Sequence, residues 1–182
     1  MVRLCRPTTS TLKDKDMHIQ KIIGMLLIAF SLPALAQANR QVTSKNDLIG
    51  CWSKVDFSDQ AKAKINEIEY GEDRYQLFCF EPDGALHISG SSAPIKEKTS
   101  AVHAAQLTLP KVISYQIAKP GVVVIVHSEA NQTSGWISSF TQRDMEFDGK
   151  FFPKDTLTMG FIDVEKQKIV YWRYLIKAPE DK

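Results

Sequence analysis

Three sets of side chains in this sequence are spaced so that they could do chemistry. His127 and Glu129 lie two residues apart, so on a strand they would share a face and could act as a Brønsted pair. Asp144, Glu146 and Asp148 repeat at period two and could turn three carboxylates toward one cation. Cys51 and Cys79 offer two sulfurs, for a metal, for redox work or for a bridge. Each has a plainer alternative. His87, His103 and His127 show none of the His-x-x-x-His spacing that places two imidazoles on one helical face. His-x-Glu on a strand is common by chance, and three alternating carboxylates suit the solvated edge of a hairpin. Ser138 and Ser139 lack an elbow motif, and no glycine-rich phosphate loop follows a strand. The sequence therefore leads us to expect no catalytic residue, no metal ligand and no cofactor, in a protein that is not an enzyme.

The cysteines have a more specific reading. The residue numbers of paired positions in an antiparallel pair sum to a constant, so pairing Phe57 with Asp73 places Cys51 opposite Cys79. Directly opposed residues lie about 4.5–5.5 Å apart at Cα, within disulfide reach. The third cysteine, Cys5, is expected to leave with the N-terminal leader, and with no other cysteine and no adjacent histidine a structural disulfide is expected.

Such a bond needs an oxidising compartment, and the beginning of the chain supplies a reason to expect one. Residues 17–38 read as a signal peptide. Lys21 is the basic flank, residues 22–30 are a short apolar core, and Ala34-Leu35-Ala36 and Ala36-Gln37-Ala38 are small-x-small cleavage candidates. Residues 1–16 carry no pattern and precede a second start at Met17, so they are expected to be a spurious extension. The apolar run is shorter than the roughly 20 residues a bilayer span needs, and no stable membrane span is expected after cleavage. The domain is then 39–182, periplasmic or secreted. The leader carries Arg3, Arg6, Lys13, Lys15 and Lys21 against Asp14 and Asp16, so its removal takes the formal net charge from +2 to −1. A near-neutral chain with scattered charge lacks the clustered basic face of a nucleic-acid binder.

The elements that must position these residues are strands. Short β-branched and aromatic runs bounded by turn residues predict strands near 50–57, 73–80, 84–90, 111–118, 122–128, 135–142, 156–162 and 168–176. Glu81-Pro82-Asp83-Gly84 and Lys119-Pro120-Gly121 are turns in which proline presets φ and glycine accepts a positive one. Residues 163–168 form a charged hairpin loop. Ser44 and Asp47 suit the start of one helical turn before Leu48. Residues 58–68 hold a short helix or lid, and 91–105 read as the longest irregular loop. The expected fold is all-β: an eight-stranded antiparallel up-and-down barrel with one disulfide, the last strand closing against the first. One conflict stands in the first two strands. Cys51, Val55, Phe57, Tyr75, Leu77 and Cys79 share one face, whereas the other collects Trp52, Phe78 and Phe80 at one end and Lys54, Asp56, Arg74 and Gln76 at the other. A bulge near Ser53-Lys54 would turn both apolar sets inward.

Four segments, in order, carry a resemblance: Leu48-Ile49-Gly50-Cys51-Trp52, Phe78-Cys79-Phe80-Glu81-Pro82-Asp83-Gly84, Asp155-Thr156-Leu157-Thr158-Met159-Gly160 and Tyr171-Trp172-Arg173-Tyr174. Together they span nearly all of 39–182, and the chain resembles bacterial lipocalin-like domains, though it lacks the family's Thr-Asp-Tyr-type middle signature. The resemblance implies that Trp52 plugs one end of the barrel and that Arg173 lies across its ring. A barrel of about eight strands can hold one small ligand. Trp136, Phe140, Met159 and Phe161 fall on strands expected to be neighbours and are the candidate cavity lining. Val122 to Val126 are apolar at every position, so the outer face of that strand needs cover. The function expected is non-covalent binding of a small, mainly apolar ligand. The alternatives are a protein partner, with the 39–44 tail of a periplasmic protease or hydrolase inhibitor entering an enzyme cleft, and a structural protein of the envelope.

Overall fold

Turn chemistry decides where this chain reverses, and the computed structural model, which describes residues 39–64, 74–95, 113–128 and 130–178, follows it closely. The two expected proline–glycine turns form, with Gly84 at φ 96° and Gly121 at φ 76°. The strands they separate are β1 (Arg40–Gln41), β2 (Gly50–Lys54), β3 (Tyr75–Phe80), β4 (Leu86–Ser91), β5 (Ile113–Lys119), β6 (Val122–His127) and β7 (Gln132–Phe140). They continue as β8 (Met145–Phe147), β9 (Lys150–Phe152), β10 (Leu157–Asp163) and β11 (Lys168–Lys177). A 3-10 turn at Lys45–Asp47 precedes β2, and one helix, α1 (Asp59–Lys64), follows it. The eight expected strands correspond to β2 to β7, β10 and β11. The lid-or-helix segment is a helix over α1, and its remainder, with most of the 91–105 loop, lies outside the described residues.

The long strands form one antiparallel sheet in the order β4-β3-β2-β11-β10-β7-β6-β5, an up-and-down meander in which the last strand pairs with the first long one. That closure runs through Leu175↔Lys54, Ile176↔Ser53 and Lys177↔Trp52. The ring is not complete, however. Among the described residues β4 and β5 meet at a bridge between Ala85 and Ser114 and at the Tyr115 N–H, which donates to Gly84 O at 2.8 Å. This corrects the closed barrel to a half-barrel open between β4 and β5. The reason is stagger: with Ser114 opposite Ala85, the described length of β5 runs beside the turn at Gly84 and past the beginning of β4.

The face conflict in β2 and β3 is resolved without a bulge. Pairing is continuous from Gly50↔Phe80 to Ser53↔Leu77, so Trp52, Phe78 and Phe80 point into the barrel. Lys54 and Gln76 share that face and are buried, 6% and 8% exposed. The other face is covered from outside. Leu77 and Cys79 pack with Ala178, while Val55 and Phe57 pack with Ala61 of α1, Phe152 of β9 and Tyr174 of β11. Outward Val122 and Val124 of β6 are likewise buried. β8 and β9 are a hairpin the strand reading passed over. Its turn is Asp148-Gly149, with φ of 57° and 65°, the two left-handed positions that an Asp-Gly pair favours.

Residues 39–44 do not project. β1 pairs with β7 through Arg40↔Phe140 and Gln41↔Ser139, taking the place beside β7 that β6 vacates at Gly121. Asp47 fastens the next turn. Its carboxylate accepts the Thr43 and Ser44 N–H groups at 2.9 and 3.0 Å and the Arg40 guanidinium at 2.9 Å. Burial pushes its pKa up, but these donors outweigh burial and hold it at about 2 rather than 3.8.

Cys51 and Cys79 are directly paired and disulfide-bonded, with Cα atoms 4.0 Å apart. The bond closes a loop across a sequence separation of 28, and in solution Cys51→Ser should lower unfolding stability by about 2–4 kcal/mol, read from denaturant midpoints. Asp47 generates a second expectation. Because its folded pKa lies below its ordinary value, its contribution is fully present above about pH 4 and is lost as pH falls toward 2. Asp47→Asn should therefore destabilise the protein at pH 6 and narrow its difference from wild type through that acid window, measured by urea titration at each pH.

Candidate functional site

The concave face of the half-barrel gathers the side chains that sequence reasoning selected, and it separates them into two ends. Trp136, Phe140, Met159 and Phe161 all belong to or pack against one core cluster. Along β7, Trp136, Ser138 and Phe140 alternate inward, four residues apart from end to end. Phe140 meets Trp52, ring centroids 5.8 Å apart, while Trp136 meets Phe161 at 5.3 Å and Tyr171 at 5.7 Å. Met159 lies between the ends, opposite Ser138 on one side and Arg173 on the other.

Trp52 is 3% exposed, and its indole N–H donates to Leu48 O at 2.7 Å, so the residue that follows the 3-10 turn holds the ring in place. The expected partner is elsewhere. The Arg173 guanidinium lies 5.2 Å from the Trp136 ring centroid and 5.4 Å from those of Phe78 and Tyr171, not over Trp52. Register explains the correction: Lys177, not Arg173, stands opposite Trp52, and its ammonium sits 5.5 Å from that ring. Arg173 lies four residues back along β11, two steps of the same inward face, where it is 7% exposed. The cation that the resemblance assigned to the plug is thus in the interior.

Three interior polar groups were missed. Lys54 and Gln76 are inward because they alternate with Trp52 and Phe78, a signal the sequence carried but which their polarity obscured. Ser138 is the third. It is fully buried at 0% exposure between Trp136 and Phe140, and its hydroxyl has no hydrogen-bond partner. A buried hydroxyl with no partner costs about 1–3 kcal/mol, so its place in an apolar interior needs a reason.

Among the described residues the histidines considered for catalysis stand apart. His87 lies opposite Cys79 on β4, His127 lies at the end of β6 opposite Ile113, and Glu129 and His103 fall outside the described residues. The alternating carboxylates serve separate backbone tasks. Asp144 accepts the Lys154 N–H at 2.7 Å, and Asp148 accepts the Ser58 N–H and hydroxyl at 2.8 Å each. The bonds from Ser58 lower the Asp148 pKa. Glu146 is exposed on β8. Among the described residues no three His, Cys, Asp or Glu side chains converge as a metal site, and no helix is long and apolar enough to cross a membrane.

Comparison of this chain with protein-family models, with curated proteins and with solved structures finds no match. The geometry therefore carries the functional reading.

The plug gives a direct test. Trp52→Ala removes a buried ring, its aromatic neighbour and its hydrogen bond, and should cost about 3–5 kcal/mol in chemical denaturation. Lys177→Gln, which loses only an exposed cation over that ring, should cost no more than about 1 kcal/mol. An equal loss from both would show that the cation, rather than the ring, holds this end.

Proposed function

We propose that this is an exported, lipocalin-like protein, periplasmic or secreted, that binds a small, mainly apolar ligand non-covalently on the concave face of its half-barrel. The observation that carries the reading is the orphaned hydroxyl of Ser138. It is aimed into an apolar interior whose other lining is Trp136, Phe140, Met159 and Phe161, the side chains chosen for that role. Ligand sites combine apolar and aromatic walls with a few placed polar groups. A ligand whose one polar atom meets Ser138 would satisfy that hydroxyl. The disulfide supports export, since such bonds persist in oxidising compartments. Inhibition by insertion of an N-terminal tail has less support, because residues 40 and 41 are paired into the sheet and Val42 is buried.

Native mass spectrometry of protein purified from its own envelope should show a retained small molecule that leaves on denaturation. Ser138→Ala should keep the fold and weaken that ligand about fivefold, the worth of one net hydrogen bond. A ligand-free mass, or a retained protein partner instead, would overturn the reading.

A further inference from the structure

A recess opens beside the N-terminal segment, against Trp52 and Phe140. It is a cleft of about 360 Å³ between the N-terminal segment, the loop before β10 and the end of β11, lined among others by Arg40, Trp52, Phe140, Lys154, Asp155 and Lys177. Ligand pockets run from about 300 Å³ upward, so it has room for a small molecule. We propose that this cleft binds a small organic anion, a carboxylate on a flat apolar body, at a site separate from the interior.

The charges around the cleft point to the anion. Arg40 is engaged by Asp47 at 2.9 Å and lies 3.9 Å from Asp155, so its charge is balanced within the cleft. Lys154 and Lys177 are not balanced. Both are exposed, both line the recess, and among the described residues neither has a carboxylate within ion-pair distance. Among the described residues that line it, two carboxylates stand against three cations and leave the cleft positive, in a domain expected to carry a net charge of −1 once its leader is removed. The local sign therefore does not follow from the protein's average charge.

The rings beneath point to the flat body. Arg40 stacks over Phe140, its guanidinium carbon 4.3 Å from the centroid, and the Lys177 ammonium covers Trp52 at 5.5 Å. An exposed cation–π contact is worth only about 0.5–1 kcal/mol, so a lysine stem can swing from the indole at little cost. In doing so it would uncover an aromatic surface for the ligand and bring its ammonium to the carboxylate. The backbone on both sides is held firmly enough to keep the recess shaped. Asp155 sits at φ 65° with its N–H donating to Thr141 O at 2.9 Å, and Asp47 ties Arg40 to the 3-10 turn.

Titration calorimetry of the mature protein with cinnamate, and with uncharged cinnamyl alcohol of the same shape, tests this. Cinnamate should bind, and the alcohol should bind at least tenfold more weakly. The double variant Lys154→Gln/Lys177→Gln should lose at least tenfold in cinnamate affinity, and added salt should weaken wild type but not the variant. Lys168→Gln, at the far end of β11, should change nothing. Equal affinity for acid and alcohol, or an unchanged double variant, would overturn the proposal. Loss of cinnamate binding in Ser138→Ala, with the lysine variant unaffected, would overturn it too, by placing the anion in the interior.

Discussion

Pairing between β2 and β11 is the constraint on which the rest of this structure depends. Three residue pairs join the first long strand to the last, and the Val55 N–H to Tyr174 O and Ala178 N–H to Cys51 O bonds, at 2.9 and 2.8 Å, extend the contact at either end. A meander without this contact would be an open sheet with two solvent-facing sides. With it, the sheet curls, and Trp52 from β2 is carried onto Phe140 from β7, which is remote in strand order. The disulfide fastens the next interface, between β2 and β3. The central path from β3 to β10 is thereby fixed on both sides of β2, and the break in the ring falls between β4 and β5, where among the described residues one bridge and one backbone hydrogen bond make the contact.

A curled sheet this short of full closure still has an outer face to cover, and α1 with the β8–β9 hairpin covers part of it. Phe57 is the centre of that layer. Its ring lies 5.5 Å from Phe152, 5.6 Å from Phe147 and 5.6 Å from Tyr174, so strand, hairpin and helix segment share one aromatic contact. Polar ties place it. Asp148 at the hairpin tip holds Ser58, whose hydroxyl in turn accepts the Ala61 N–H and so caps α1. Asp56 is flanked by Arg74 at 2.8 Å and Lys62 at 3.4 Å, and although burial acts to raise its pKa, these cations lower it. Burial on both faces is why β2 and β3 are apolar at positions that simple alternation would leave polar.

What could be read from the sequence depended on how local the determining geometry is. The Cys51–Cys79 register was legible because one assumed pair in a neighbouring-strand ladder sets every other pair. The register between β2 and β11 is set by no turn, so the position of Arg173 relative to Trp52 could not be counted out, and the resemblance assigned it to the wrong ring. Lys177 was the residue in register. The β8–β9 hairpin had a strong local signal in Asp148-Gly149, but the alternating carboxylates around it drew attention to charge instead of to the turn. Among the candidate lining residues, Trp136 and Phe161 were recoverable because apolar residues on neighbouring strands meet across the same face. Ser138, Lys54 and Gln76 were not, because interior polar groups contradict the patterning by which an interior is recognised.

Those interior polar groups bear on what the concave face is for. Removing a guanidinium from water costs several kcal/mol, and replacing a buried ionic group by apolar side chains of similar volume is often neutral or stabilising. Contacts with Phe78, Trp136 and Tyr171 return about 0.5–2 kcal/mol each. Arg173 therefore lies inside at a desolvation cost that its contacts have to offset. At 138 the hydroxyl has no partner, and alanine would remove its desolvation cost outright. Both polar groups lie on the inward face, on either side of Met159. A core optimised only for packing gains nothing from the hydroxyl of Ser138. A concave surface that recognises a polar group on an otherwise apolar molecule would gain specificity from it, and this is the physical ground of the binding role proposed for the interior.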